Sequence, residues 1–170
     1  TDKPIIYLCN VDEQTLQNEQ KPNDYSNIQK YAIKKQNHCL IICGSIEMEI
    51  SKITEDSDKK DFLEMYNLSR SGLDKLVTLA YKQLGLITFF TAGEQEIRAW
   101  TITSKTYAPQ AAGAIHTDFE RGFIKAEIYH INDLIQYQSE LILREKGKIR
   151  QEGKEYVVQD GDIIFFKFNV

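Results

Sequence analysis

The 170-residue chain reads as α+β: a small mixed sheet grasping a helix in its C-terminal half, preceded by helices and a partial α/β layer. Three observations predict this. Two near-continuous apolar runs, residues 4–11 and 39–43, flank a helical pattern, as expected of strands buried on both faces of a parallel sheet. Residues 54–85 read as helical, with three- and four-residue apolar spacing over 71–84. From Leu86 the texture becomes β-rich, in the order hairpin, helix, strand, helix, two strands, which suits a β-grasp or ubiquitin-like sheet.

The elements follow in order. Residues 4–11 form a buried strand, and residues 12–24 are polar with a break at Pro22. Asp24 or Ser26 is expected to cap a helix running to about Lys35, with Tyr25, Ile28, Tyr31 and Ala32 on one side. Residues 39–43 form a second strand, and Gly44-Ser45 turns the chain into a helix carrying Ile46, Ile50 and Ile53. Strand, helix, strand, helix is half of an α/β sheet, and half a sheet leaves a raw edge. The chain also begins at Thr1 and enters directly into a strand, which suggests a cut-down or processed product.

Residues 57–66 and 71–84 read as two connecting helices, the second bearing Leu73, Leu76, Val77, Ala80, Tyr81 and Leu84 and stopped by Gly85. Residues 86–92 and 97–103 form a hairpin about the turn Ala92-Gly93-Glu94. A short helix is expected over 109–118, a strand over 122–129 and a helix over 132–146, ending near Gly147. Residues 156–158 and 163–168 close the chain as two strands about a hairpin turn, Gln159-Asp160-Gly161-Asp162.

Composition narrows the function. Apolar residues make up 42% and charged residues 27%, as in globular proteins. No apolar run is long enough to cross a membrane, and no leader is visible. Net charge is −4; the first 85 residues hold 11 basic and 13 acidic side chains and the rest 10 and 12, so each part is −2. That balance gives no long-range field for nucleic acid, and any RNA contact must be local. Cys9, Cys39 and Cys43, an odd and low count, suggest a reducing, cytosolic setting. They read as three small buried thiols; a metal site with His38 lacks close paired ligands on turns.

No Gly-x4-Gly-Lys-Ser/Thr phosphate loop occurs, so no catalytic residue is assigned. His116, Asp118 and Glu120 stand two apart, which on a helix turns them different ways; Asp118 is read as capping or closing a turn and His116 as a surface residue. Asp160 and Asp162 read as turn residues, and Trp100 as core or semi-buried rather than a base-stacking platform.

Several runs in the second half are densely specific. Phe90-Thr91-Ala92-Gly93, Arg98-Ala99-Trp100-Thr101-Ile102, Ala108-Pro109-Gln110-Ala111-Ala112-Gly113 and Ile115-His116-Thr117-Asp118-Phe119-Glu120 closely resemble the Obg-like ATPase or YchF family. Gly147-Lys148-x-Arg150-x-x-Gly153-Lys154-x-Tyr156, Gln159-Asp160-Gly161-Asp162 and the closing Phe168-Asn169-Val170 fit as well. The resemblance implies three parts: residues 1–53 as the end of a P-loop nucleotide-binding domain, 54–85 as a helical connector, and 86–170 as a TGS domain of β-grasp fold. It implies a cytoplasmic, ribosome-associated hydrolase that prefers ATP to GTP and uses Mg2+, with the TGS domain meeting the ribosome's large subunit, RNA or protein. No membrane partner is expected. By itself the fragment is expected not to hydrolyse ATP at a meaningful rate and to hold no cofactor; a stand-alone, non-catalytic TGS module acting on ribosome or RNA is the alternative. A sulfur-carrier role is set aside, because those carriers need a Gly-Gly end.

The same resemblance assigns a base site. Asn10-Val11-Asp12-Glu13 lies where GTPases place Asn-Lys-x-Asp. Glu13 is one methylene longer than Asp, which misplaces its carboxylate for guanine, while the Asn10 amide offers a donor and an acceptor to a purine edge and Val11 packs beside the ring. Gly44 and Ser45 lie in a second base-side loop that offers backbone N–H groups. Contacts to RNA or ribosome are expected among Arg98, Lys105, Arg121, Lys125, Lys148, Arg150 and Lys154, although they alternate with acids. Tyr107 stands where the family often has Lys.

Overall fold

The computed structural model describes residues 3–18, 22–93 and 96–169. The chain divides into two compact units, Thr1–Leu84 and Gly85–Val170.

The first unit is built on two parallel strands, β1 (Ile6–Asn10) and β2 (His38–Ile42), paired from Ile6↔His38 to Asn10↔Ile42. Between them run α1 (Glu13–Gln17) and α2 (Asn23–Lys34). The polar segment after β1 thus holds a helix that apolar spacing does not reveal; it is nucleated by Asp12, whose carboxylate accepts from the Thr15 N–H at 2.7 Å. α2 starts directly after Pro22 without a side-chain cap, so neither Asp24 nor Ser26 caps it. Of its apolar side only Ala32 is fully buried; Ile28 and Tyr31 are exposed.

α3 (Gly44–Ile50), α4 (Asp56–Met65) and α5 (Gly72–Leu84) follow. Cys43, Ile46 and Ile50 make a small core with Leu16, Phe62, Leu63, Tyr66 and Leu68. The apolar stripe of α5 faces the core less than its periodicity suggests: Leu73 and Leu84 are 61% and 60% exposed. Gly85 ends that helix at φ +63, a left-handed conformation in which a Cβ is strained.

The second unit is one mixed sheet in the order β4-β3-β7-β5-β6. β3 (Leu86–Ala92) and β4 (Ile97–Thr103) form the expected hairpin, whose turn falls partly outside the described residues at Glu94 and Gln95. β7 (Asp162–Phe168) lies parallel to β3 through Phe90↔Ile163 and antiparallel to β5 (Phe123–His130). β6 (Arg150–Glu152) pairs antiparallel with β5 at the far edge.

The penultimate strand is therefore 150–152, not 156–158. Residues 156–158 contribute only an isolated bridge, Tyr107↔Val157. The turn at 159–162 joins no hairpin; it docks on β3, where Gly161 N donates to Thr88 O at 2.8 Å and Asp160 Oδ1 accepts from Thr88 N at 2.8 Å.

Two expected helices are each divided. α6 (Ala108–Ile115) and α7 (Thr117–Arg121) are separated by His116, whose extended backbone breaks the run and whose Nδ1 accepts from Asp118 N. The cap of α7 is thus His116, not Asp118. α8 (Ile131–Tyr137) and α9 (Glu140–Glu145) are separated at Gln138, a left-handed residue at φ 54.

The sheet buries both faces. On one, the small Ala108, Ala111 and Ala112 of α6 let Phe89, Ile128, Ile164 and Phe166 pack beneath the helix. On the other, Leu143 of α9 packs on Tyr129 and Ile163. No helix among the described residues is long and apolar enough to cross a membrane.

Candidate functional site

The parallel register of β1 and β2 brings their C-terminal ends side by side, and Val11 N donates to Ile42 O at 2.9 Å to hold them. The crevice beyond such strand ends is where open α/β sheets bind ligands. Here the two loops singled out in the sequence meet. Asn10 Oδ1 accepts from Gly44 N at 2.9 Å, and Ser45 Oγ donates to Glu13 Oε1 at 3.1 Å. The Gly44 N–H that the sequence offers to a purine is therefore engaged by Asn10, whose amide NH2 carries the pair's donors. Val11 is half-buried beside them. Leu8, Asn10, Val11, Asp12, Tyr25 and Ile28 line an open cleft of about 550 Å3, and Asp12, Glu13, Gln14 and Ser45 line a second hollow of about 430 Å3.

Neighbouring groups fix these loops. The Asp12 carboxyl is held below its ordinary value by its bonds from Thr15, so it caps α1 as an anion and starts the helix at Glu13. The carboxylate of Glu47, on α3, accepts from the first amides of α5: Gly72 N at 2.6 Å and Leu73 N at 3.0 Å. That bond ties together two helices and satisfies donors that a helix start leaves orphaned. Gly72 is required there, since a Cβ would lie 2.6 Å from Ile42 Cγ2 and 2.8 Å from Glu47 Oε1. Desolvation first, then the Glu13 and Glu49 charges, raises the Tyr66 phenol. Asp12, which lines both hollows, and Glu47, which ties α3 to α5, have parts in the site that sequence reasoning missed. Asp12 had a local signal, the Asp-x-x-Thr spacing of a cap; Glu47 acts across 25 residues.

The cations of the second unit are dispersed. Arg98 is on edge strand β4, its guanidinium 4.4 Å from the Trp100 ring centroid and 4.0 Å from Glu96. Arg150 is on the opposite edge strand, β6, paired with Glu152 at 3.7 Å and donating to the Tyr156 hydroxyl at 3.3 Å. Lys148 pairs with Asp133 at 3.2 Å, Arg121 with Asp118 at 3.9 Å, and Lys125 donates to Gln151 at 2.9 Å. Lys105 and Lys154 stand exposed in loops, Lys105 at φ 68.

The residues that invite an active-site reading have structural partners. Asp162 is buried, accepting from the Tyr156 hydroxyl at 2.7 Å and Gln159 N at 2.8 Å. Desolvation, then the bond to Asp162, pushes the Tyr156 phenol up to about 12. Trp100 Nε1 donates to Thr91 Oγ1 at 3.0 Å in a half-buried setting. Of the cysteines only Cys43 is buried; Cys9 and Cys39 are half-buried, which corrects the expectation of three buried thiols. Among the described residues no group of three His, Cys, Asp or Glu side chains is placed to hold a metal ion.

Comparison with known proteins completes the picture. Residues 86–169 match the family model YchF-GTPase_C, described as a protein of unknown function (DUF933). The whole chain is 46% identical over 170 residues to the ribosome-binding ATPase YchF of Bacillus subtilis and 42% identical over 171 residues to that of Escherichia coli O157:H7, covering 46% of each relative. The chain thus spans about half the length of the curated relatives it matches. Among solved structures it resembles the Schizosaccharomyces pombe YchF GTPase, with a TM-score of 0.83 and 38% identity over 97% of this chain and 43% of that one. It also resembles a GTP-binding protein from Pyrococcus horikoshii OT3, with a TM-score of 0.68 over 99% of this chain and 46% of that one, at 15% identity, a likeness of fold alone.

Proposed function

The chain belongs to the YchF family, and from that we propose that it is part of a ribosome-associated P-loop hydrolase of nucleoside triphosphates that prefers ATP to GTP. In this reading residues 1–53 end the nucleotide-binding domain and carry the base site, 54–85 connect, and 86–170 form a TGS domain of β-grasp fold that meets the large ribosomal subunit, RNA or protein. The reading places the protein in the cytoplasm.

The observation that supports the base site most is the Asn10–Gly44 bond, which holds the ends of two parallel strands as one platform. The residues present fit a purine rather than a phosphate. Asn10 and Glu13 supply amide and carboxylate groups at a strand-end crevice, while the sequence has no Gly-x4-Gly-Lys-Ser/Thr loop to cradle phosphates. The triphosphate and Mg2+ would be held by other parts of the parent, where the ion would supply charge neutralisation to the transferred phosphoryl group. This chain's own task is to seat the base. The Asn10 NH2 donates to a purine ring nitrogen that adenine and guanine share, so it fixes orientation. Discrimination falls to the exocyclic edge, where the extra methylene of Glu13 and its bond to Ser45 draw the carboxylate away from guanine's donors.

The test uses the intact protein carrying this sequence. Asn10→Ala is expected to weaken ATP and GTP binding together by about tenfold, one lost hydrogen bond to the base. Glu13→Asp is expected to narrow the ATP-over-GTP ratio. Unchanged affinities and ratio in titration calorimetry would remove these residues from the site. For the second unit, Arg98, Lys148 and Arg150 changed together to Glu are expected to reduce ribosome co-sedimentation; intact association would clear them from the interface. The second unit's own two-faced core also supports a module that binds without the hydrolase, and ribosome binding by residues 85–170 alone would favour that reading.

A further inference from the structure

Cys9 and Cys39 are the two half-buried thiols of the first unit, and their sulfurs lie 3.8 Å apart. The strand register explains the approach. Tyr7 is paired with Cys39 and Cys9 with Ile41, so both cysteine side chains rise from the same face of the parallel pair as diagonal neighbours. Cys9 also lines the open cleft beside Asn10 and Tyr25, which gives a dissolved reagent a route to it. Cys43, by contrast, is buried and within 3.1 Å of Ser45 Oγ.

We propose that Cys9 and Cys39 form a reversible intramolecular disulfide, a thiol modification site that locks β1 against β2 at the root of the Asn10 loop. With glutathione disulfide as oxidant, the Cys9 thiolate attacks one glutathione sulfur and expels one glutathione thiolate. The Cys39 thiolate then attacks the Cys9 sulfur of the mixed disulfide and expels the second. Two protein thiols are oxidised, one glutathione disulfide is reduced to two glutathiones, and the two thiol protons pass through solvent to the departing thiolates. The order follows from access, since Cys9 lines the open cleft, and desolvation and the Cys9 thiol push Cys39 up to about 11, which disfavours it as the first attacker.

The sulfurs must close from 3.8 Å to roughly 2.05 Å, and a pair offset by two residues on neighbouring strands has Cα atoms roughly 8 Å apart, beyond the roughly 7 Å a disulfide spans, so one strand must shift against the other. Such a strained disulfide is readily reduced, the property of a regulatory rather than a structural link. Asn10 follows Cys9 directly, and its bond to Gly44 crosses the same pair of strands, so the shift is transmitted to it. The effect on nucleotide rests on the base-site reading; the disulfide does not.

The intact protein is incubated with glutathione disulfide at pH 8, quenched in acid, alkylated and digested with trypsin. A linked pair of peptides containing Cys9 and Cys39, lighter by two hydrogens than their sum and lost on treatment with dithiothreitol, is the expected result. Cys39 and Cys43 share the tryptic peptide between Lys35 and Lys52, so the link must persist in Cys43→Ser and vanish in Cys9→Ser. Folded protein whose Cys9 stays a thiol or a glutathione adduct, or a link that Cys43→Ser abolishes, would overturn the proposal. Hydrogen exchange at the Gly44 amide is expected to change at least tenfold between the two forms, and equal rates would overturn the coupling to Asn10. Failure of Asn10→Ala to alter nucleotide binding would instead overturn the base site and leave the mass result standing.

Discussion

The two units solve the burial problem differently. The second places fourteen of the buried apolar residues around five strands covered on both faces, whereas the first has four, Ala32, Cys43, Ile46 and Ile50, among the described residues. Its two strands carry half-buried or exposed apolar side chains, including Leu8 at 44%, and Ile33 on α2 is 68% exposed. A sheet of two strands cannot cover itself. The lesson is that the first unit keeps its geometry by directional bonds, such as Asn10 to Gly44 and Glu47 to the start of α5, while the second keeps it by packing.

The most severe test of that contrast is Phe89→Ala. Phe89 is fully buried and touches Phe166 edge to face, so its truncation should destabilise the second unit by about 3–5 kcal/mol. Trp100, the only tryptophan, reports this in denaturant titration. A shift under 1 kcal/mol, on the same scale of core truncations, would show that packing does not dominate there.

Gly72→Ala comes next. The added methyl collides with Ile42 and Glu47, and the first unit should lose about 1–3 kcal/mol by overpacking and a weakened cap. Circular dichroism of the helical signal measures it, and a neutral result would mean that the Glu47 bond does not hold the unit.

Tyr156→Phe sharpens the view of the second unit by leaving the buried Asp162 without its hydroxyl donor, at about 1–3 kcal/mol. It carries a pH signature. The folded phenol keeps its proton to about 12 against an ordinary 10.0, so the neutral form is favoured by the fold. That contribution is whole below pH 10.0 and is lost as pH rises towards 12. The denaturation midpoint of the parent should fall across that window more steeply than that of Tyr156→Phe. The mildest change is Arg98→Ala, which removes the cation over Trp100 at an exposed edge and should cost about 0.5–1 kcal/mol.

Legibility followed the range of the interactions. The β1 and β2 runs, the β3–β4 hairpin and the Gly85 helix stop were readable because apolar runs, period-2 patterning and glycine act over a few residues. The breaks at His116 and Gln138 were not, since neither residue is a strong helix breaker. Residues 156–158 looked like a strand because Tyr156, Val157 and Val158 favour one, yet Val158 enters the core from a loop while the polar Arg150-Gln151-Glu152 pairs with β5. Tertiary pairing overrode propensity there. In the candidate site, Asn10, Glu13, Gly44 and Ser45 could be named from the sequence, but their mutual bonds could not.

Residue order alone determined that this chain alternates strands and helices first and then builds a mixed sheet, because side-chain periodicity and turn chemistry are local. The tertiary structure decided which strands adjoin, which thiols face each other and which carboxylate caps a distant helix. Those choices depend on how segments 25 or more residues apart meet, and that is set only when whole faces pack.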